Sequence, residues 1–248
     1  MENLSDQYFG FVTGLLHRIA TESGDSIRQG AEAITGAIAQ GGLFYLFGSG
    51  HSALIARDAA YRAGGLAAAL SMDDVADGDA ERIEGLARFI AARYDLRQGS
   101  VIAIISNSGI NPVPIEMAML ARDAGLTVIA ITSLAHTKAV APRHSSGKKL
   151  YELADIVIDT HSTPGDAAIS LPGSTLKSGA TSTIAGSAIL QAMTVQAAAA
   201  LVAQGHEAPV WISANLPDSS AHNEKLLERY RPQLVRYQMA ALTRPQRS

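Results

Sequence analysis

Three runs of apolar residues in this chain each stop on a turn of small hydroxyl or glycine residues, and that recurrence constrains the fold more than any other feature. Leu43 to Phe47 runs into Gly48-Ser49-Gly50-His51-Ser52, Val101 to Ile105 into Ser106-Asn107-Ser108-Gly109, and Thr127 to Ile131 into Thr132-Ser133. Each run has the length of a buried strand, and the first two turns open into sequence with helical character. Further strand-like runs at 67–70 and 155–159 and helical stretches near 52–63, 80–94 and 112–124 complete an alternation of strand and helix. Such alternation predicts an α/β fold with a parallel sheet and helices on both faces. In an open parallel sheet, ligands sit beyond the carboxyl ends of the strands, above all at a topological switch point. Turns of Gly and Ser there offer backbone N–H groups, hydroxyls and a helix N-terminus, a set that suits a phosphate.

The two ends of the chain read as helical additions to this body. Leu4, Phe11, Leu15, Leu16 and Ile19 recur at helical spacing, and after Gly24 so do Ile27, Ala31, Ile34 and Ile38. Residues 1–40 are therefore expected to form a helical pair whose stripes pack on the body or on a second subunit. Residues 41–208 form the phosphate-binding body, and 209–248 a tail and helix of the same domain. Within the body, the segment 134–153 mixes a basic loop, Arg143 to Lys149, with a short helix. Beyond Thr160 come a loop at Pro164-Gly165-Asp166, a short strand and an Ala-rich helix from about Thr183. The tail carries Asn215, His222 and Asn223, then a charged helix from Glu224 to about Met239.

Composition removes several classes of function. With 248 residues, 47% of them hydrophobic, the chain can bury a sizeable core. A formal net charge of −3 gives no basic field for nucleic acid or an acidic membrane surface. There is no cysteine, which excludes disulfides, thiol chemistry and a thiolate metal site. The start, Met1 to Asp6, lacks the basic and apolar regions of a signal peptide. The apolar stretch Ile184 to Ala203 is interrupted by Gly186, Ser187, Gln191, Thr194 and Gln196, the pattern of a core helix rather than a membrane span. A cytoplasmic location is expected.

Gly48-Ser49-Gly50-His51-Ser52-Ala53 matches the dinucleotide pattern G-x-G-x-x-A between a strand and a helix, and Asp73 falls where a ribose-binding acid would stand. The second turn points elsewhere. Ser106, Asn107 and Ser108 around Gly109, with the N–H groups ahead of a helix starting near Pro112, suggest a nest for a compact dianion. The plainer alternative is a capped helix start, where Ser and Asn are favoured anyway. A third cluster, Ser178 to Thr183, opens the Ala-rich helix and could face sugar oxygens. It also reads as a simple cap.

Taken together, these clusters resemble the sugar-isomerase (SIS) domain family, from about Gly42 to Ala203. Ser52 occupies the place of a phosphate-binding serine that ends the family's first loop. The family's second loop, S-x-S-G-x-[ST], matches Ser106, Ser108 and Gly109, with Asn111 in place of the last hydroxyl residue, and a later helix-start serine matches Ser182. The strings Phe47 to Ser52, Tyr61 to Leu66, Ser106 to Pro112, Pro164 to Ala167 and Ser182 to Gly186 are similar to a stand-alone branch of the family, related to phosphoheptose isomerase and to the isomerase domain of glucosamine-6-phosphate synthase. The resemblance implies a three-layer αβα sandwich with a five-stranded parallel, flavodoxin-like sheet. It also implies a bound phosphosugar, held at Ser52, Ser106, Ser108, Gly109, Asn111 and Ser182, to which the chemistry of the turns adds Ser49, Gly50, Asn107 and Ser133 as expected contacts. A homodimer or tetramer with sites near the interface is the expected assembly.

The resemblance departs at the chemistry. Phosphoheptose isomerases carry a catalytic glutamate on the helix after the first loop, and here Tyr61 and Arg62 stand at that place. The candidates left for proton transfer are His51, Asp58 and His222, with Asp166 and Glu224 behind them. Each has a structural alternative: Asp58 can pair with Arg57 or Arg62, Asp166 can cap a turn, and Asn223 can cap a helix beginning beside His222. Lys148 and Lys149 lack the spaced glycine of a P-loop. The histidines show no metal-ligand spacing, so no metal and no cofactor is expected. An aldose–ketose sugar-phosphate isomerase or related lyase, a non-catalytic phosphosugar sensor and a dinucleotide-binding enzyme all remain open on the sequence.

Overall fold

The computed structural model describes residues 3–74, 78–217 and 219–242, with side chains as far as Tyr230. Five strands, β1 (Phe44–Gly48), β2 (Ala69–Ser71), β3 (Val101–Ile105), β4 (Thr127–Thr132) and β5 (Ile156–Asp159), form one parallel sheet in the order β2-β1-β3-β4-β5. Every residue of β1 and β3 is buried, because helices cover both faces of the sheet. That is why these strands read as continuous apolar runs rather than alternating ones. Phe44 pairs with Val101 and Gly48 with Ile105, so β1 and β3 end level and their turns emerge side by side. The chain leaves β1 for β2 on one side and returns to β3 on the other, which makes the β1/β3 ends the switch point.

Eight α-helices are present among the described residues: α1 (Leu4–Glu22), α2 (Gly24–Ala39), α3 (His51–Ala60), α4 (Leu86–Ala91), α5 (Pro112–Asp123), α6 (Leu134–Ala139), α7 (Ser182–Ala203) and α8 (Ser219–Leu242). Crossovers in opposite directions place α3 and α5 on opposite faces. The helices α2 and α7 join the α3 side and α4 the α5 side, which gives a three-layer αβα sandwich. The apolar stripe of α2 finds its cover in the body: Ile27, Ala31, Ile34 and Ile38 are buried, and α2 lies against α7 and β5, while of the α1 stripe Leu15 and Ile19 are buried and Leu4, Phe11 and Leu16 half-buried. Gly30 lies at the contact of α2 with α7, where an added Cβ would meet Met193 Sδ at 2.5 Å and the methionine side chain would have to move. Helix α7 is long and apolar enough to cross a bilayer by length and composition, yet Ala185, Ile189, Leu190, Met193 and Ala197 are buried within the body.

Three local expectations are corrected. The helix read at 80–94 is only Leu86–Ala91; it begins after Gly85, which holds a left-handed φ of 86°, and residues before it form turns. One short strand expected after Asp166 is an antiparallel hairpin, β6 (Ala167–Ser170) with β7 (Lys177–Ala180). The last helix starts at Ser219 rather than Glu224, so Asn223 lies inside it; its side chain clips the tail by bonding both the N–H and the carbonyl of Ile212. Residues 1–2 and 243–248 of the expected end segments lie outside the described residues.

Candidate functional site

A cleft of about 530 Å³ opens over the carboxyl ends of β1 and β3, within the usual size range of a small-molecule site. Its floor is the first turn. A Cβ on Gly48 would lie 2.6 Å from the backbone of Ser52, so only glycine lets the chain fold back this sharply. The turn brings Ser49 and Ser52 to the cleft, with His51 exposed at the first position of α3. The Ser49 hydroxyl is buried without a hydrogen-bond partner among the described residues. The N–H of Gly50 donates to Asp74 Oδ2 at 2.8 Å, so Gly50 supplies shape rather than an amide for an anion.

The second turn is a braced loop. Ser106 Oγ accepts from the N–H of Gly109 at 3.2 Å and holds the turn closed. Thr160 Oγ1 donates to Asn107 Oδ1 at 3.1 Å, which fixes the amide and leaves Nδ2 as a donor. From beneath, the N–H of Ser133 donates to the carbonyl of Asn107 at 3.0 Å and Thr137 Oγ1 donates to the carbonyl of Ser108. The hydroxyl of Ser108 lines the cleft and makes no hydrogen bond among the described residues. Gly109 has φ 62°, and a Cβ there would meet Thr132 Oγ1 and Thr137 Oγ1 at 2.9 Å.

Several expected site residues lie elsewhere or act differently. Ser133 does not line the cleft: it is fully buried, caps α6 by accepting from the N–H of His136 at 3.3 Å, and donates to the carbonyl of Ser162 at 2.7 Å. The first turn of α5 itself offers no N–H to an anion, since Pro112 and Pro114 have none and Val113 N–H donates to the carbonyl of Glu81 at 3.1 Å; any nest must come from the turn ahead of it. Asn111 lines the cleft, but both ends of its amide have protein partners: Oδ1 accepts from Arg143 Nη1 at 2.8 Å and Nδ2 donates to Glu81 Oε1 at 2.6 Å. Asp58 is corrected from acid–base candidate to surface residue, because the i, i+4 spacing on α3 pairs it with Arg62 and leaves its side chain 50% exposed. His222 is also outside the cleft; its Nε2 donates to the carbonyl of Val210 at 2.8 Å and pins the tail. Asp73, the candidate ribose acid, lies 3.6 Å from Arg93.

The far wall of the cleft is built around Asp166. This residue takes a left-handed φ of 64° and accepts four hydrogen bonds. Its Oδ1 receives the N–H groups of Thr181 and Ser182, at 3.0 and 2.7 Å, and the Thr181 hydroxyl; its Oδ2 receives the Ser182 hydroxyl at 2.7 Å. The carboxylate therefore caps α7 and offsets the positive end of its dipole. Two further groups complete the lining. His136 Nδ1 accepts from the N–H of Gly165 at 3.2 Å, so a neutral ring carries its proton on Nε2. Glu81 enters from the turn before α4, and burial pushes its carboxyl above the ordinary carboxylate range.

Comparison with known proteins fits this geometry. A family model described as the SIS domain matches residues 7–133, more than half of the chain and both turns that floor the cleft. The chain belongs to the SIS-domain family. It is 38% identical over 239 residues to a UPF0309 protein of Shouchella clausii, covering 92% of this chain and 97% of that one. A UPF0309 protein of Geobacillus thermodenitrificans is 37% identical over 238 residues, covering 92% and 96%. Among solved structures, a phosphoheptose isomerase from Francisella tularensis superimposes with a TM-score of 0.56 at 17% identity, covering 79% of this chain and 98% of that one. The NanR protein of Vibrio vulnificus, complexed with ManNAc-6P, gives a TM-score of 0.52 at 19% identity, covering 94% and 70%. At these identities the structural likeness concerns the fold.

For this SIS domain the sequence missed Glu81 and His136. Glu81 was hidden in a stretch read as helix, where a glutamate is an ordinary surface residue. The signal that could have exposed it is Gly78 and Gly85 flanking the segment, both with left-handed φ and both turn-formers. His136 sits in the short helix after β4 and carried no local pattern. Among the described residues no group of three or more His, Asp or Glu side chains is arranged to hold a metal.

Proposed function

We propose that this SIS protein binds a sugar phosphate in the cleft and interconverts its aldose and ketose forms. The observation that carries this reading is the polar lining of the cleft. The hydroxyls of Ser52 and Ser108 and the Asn107 amide line it beside the N-terminus of α3, and so does Asp166, whose carboxylate holds Ser182. Hydroxyls and amides at a helix N-terminus suit a phosphate, and carboxylates suit the hydroxyls of a sugar, which donate to them. His51, Glu81 and His136 line the same cleft and are side chains of the kind that move protons in general acid–base catalysis. Isomerisation takes a proton from the carbon beside the carbonyl and protonates the carbonyl oxygen to give an enediol; the neighbouring enediol hydroxyl then loses its proton to become the new carbonyl as a proton is added to the former carbonyl carbon. It requires no net redox change.

Support also comes from the two fold neighbours, one a phosphoheptose isomerase and the other a protein complexed with ManNAc-6P. The second neighbour motivates an alternative of sensing without turnover. A panel of pentose, hexose, heptose and N-acetylamino sugar phosphates, measured by thermal shift and by product formation, separates the readings. We expect stabilisation by at least one member and conversion of it. Binding without conversion of any member would favour the sensor. Stabilisation by NAD or NADP with none by sugar phosphates would remove both and return the dinucleotide reading. We also propose a homo-oligomer, in which Val195 and Val202, 68% and 62% exposed on α7, would be covered; sedimentation at micromolar concentration tests it.

A further inference from the structure

We propose that Glu81 is the proton-transferring carboxylate of the cleft and that Arg143, acting through Asn111, is the positioning residue that orients it. The inference rests on the isomerase reading for the role of Glu81, while the relay itself stands on geometry. A guanidinium can only donate hydrogen bonds, so Asn111 must turn Oδ1 toward Arg143, at 2.8 Å. Its Nδ2 is then forced toward Glu81 Oε1, at 2.6 Å, where it too can only donate. The amide thus hands the polarity of Arg143 on to Glu81 and favours the carboxylate form. Both ends are tethered by backbone: Arg143 N–H donates to the carbonyl of Ile110 at 2.9 Å, and the carbonyl of Glu81 accepts from Val113 N–H at 3.1 Å. Asn111 is 4% exposed, so the relay is shielded from solvent at its centre.

The assignment follows from comparing the two carboxylates that line the cleft. Asp166 has both oxygens engaged by donors that cap α7. Glu81 has Oε1 held by Asn111 and Oε2 without a partner among the described residues. One oxygen anchored and one available is the arrangement a general base needs. The serine or threonine that the SIS turn pattern places at position 111 has one polar atom on a shorter side chain, where asparagine has a separate acceptor for Arg143 and a separate donor for Glu81. Asparagine there exchanges a phosphate ligand for a relay, and Glu81 arrives from a different segment than the family glutamate that Tyr61 and Arg62 replace.

The charges facing Glu81 compete. Burial and Asp74 push its carboxyl up, while Arg82 and Arg143 pull it down. His51 and His136 line the same cleft. The neighbouring carboxylates are tied elsewhere: Glu84 accepts from the N–H and hydroxyl of Ser145, and Glu116 accepts from Gly85 and Ala87 N–H with His144 at 3.6 Å. In the step assigned to it, ionised Glu81 takes the proton as the substrate C–H bond breaks. The electron pair forms the C=C bond of the enediol as the carbonyl oxygen gains a proton, and Glu81 returns its proton to the adjacent carbon as the neighbouring hydroxyl gives up its own to become the new carbonyl.

The test uses E81Q, R143Q, R143K and N111S in the full chain, with circular dichroism confirming that each is folded. For E81Q, sugar-phosphate affinity stays within about threefold while turnover falls by roughly 10²–10⁴-fold. R143Q and N111S both move the acid limb of the kcat/KM profile to higher pH and lower kcat by about tenfold, the value of one hydrogen bond to a charged group. R143K, which keeps a donor and the charge, recovers part of both. Retention of more than a tenth of the turnover by E81Q, or an R143Q profile that superimposes on wild type, overturns the proposal. Should wild type bind sugar phosphates but convert none, the isomerase reading fails separately. The relay is then judged by titrating the Glu81 carboxyl in ¹³C NMR spectra. An upward move in R143Q upholds it, and an unchanged midpoint overturns it.

Discussion

Replacing Gly109 by alanine tests whether the second turn is held by its own backbone conformation or by the hydroxyls packed beneath it. Two costs are expected. The left-handed φ of 62° costs an alanine about 1 kcal/mol. The new Cβ would sit 2.9 Å from both Thr132 Oγ1 and Thr137 Oγ1, closer than real contacts allow, so these hydroxyls must shift. Shifting them breaks the bond from Thr137 to the carbonyl of Ser108 and the Thr132–Thr137 contact, about 1 kcal/mol each. The sum is about 3 kcal/mol, or roughly 6–12 °C in Tm for a chain of this size. Gly147 is the internal control, since its φ is 71° but nothing lies within 4 Å of a Cβ there. Gly147→Ala should cost only the backbone share, about 1 kcal/mol. Urea unfolding of both variants supplies the comparison, and sugar-phosphate titration of Gly109→Ala should show about tenfold weaker binding as Ser108 is displaced. If the two variants differ by less than about 0.5 kcal/mol, the bracing argument is wrong.

Three further outcomes are expected. Ser108→Ala removes a hydroxyl with no other partner, so Tm without ligand should hold while calorimetry shows phosphosugar affinity falling tenfold or more, for a charge-assisted bond of about 1.5–3 kcal/mol. Asp58→Asn should leave both turnover and affinity unchanged and alter stability by less than about 0.5 kcal/mol, because the pair with Arg62 is exposed; a tenfold loss of turnover would restore Asp58 as a candidate. Burial pushes the Tyr45 phenol up to about 12 from 10.0, while its hydroxyl donates to the carbonyl of Asp95 at 2.6 Å. Since the folded value lies above the unfolded one, its contribution is complete below pH about 10 and is lost as pH rises through about 12, roughly 2–3 kcal/mol in all. Chemical denaturation across that window should show the loss in wild type and a flatter profile in Tyr45→Phe.

The sequence by itself determined the sheet and the turns that line the cleft. Strands buried on both faces must be apolar throughout, so Leu43 to Phe47, Val101 to Ile105 and Thr127 to Ile131 announce themselves, and the Gly and Ser residues after them mark where those strands end. The same local logic identified the turns carrying Ser49, Ser52, Ser106 and Ser108, all of which the fold brings to one cleft. It also gave the N-terminal helical pair, because amphipathic spacing is a property of the helix alone.

Tertiary structure decided which polar side chains face that cleft, because partner choice depends on distances across elements far apart in sequence. Asp58 and Asp166 are both plain carboxylates in the sequence; one is turned to solvent by its position on α3, and the other is placed to cap α7 from 16 residues away. Ser133 carried the same turn chemistry as Ser106, yet the packing of α6 against the Ser162 carbonyl took its hydroxyl out of reach. Glu81 was hidden because a glutamate suits a helix as well as a turn, and only the left-handed backbone at Gly85 stops α4 from extending back over it. Its link to Asn111 spans 30 residues, and that from Asn111 to Arg143 spans 32, contacts that no local periodicity encodes. Strand and helix are written in neighbouring residues, whereas the ionisation and aim of a carboxylate are set by whatever the fold places beside it.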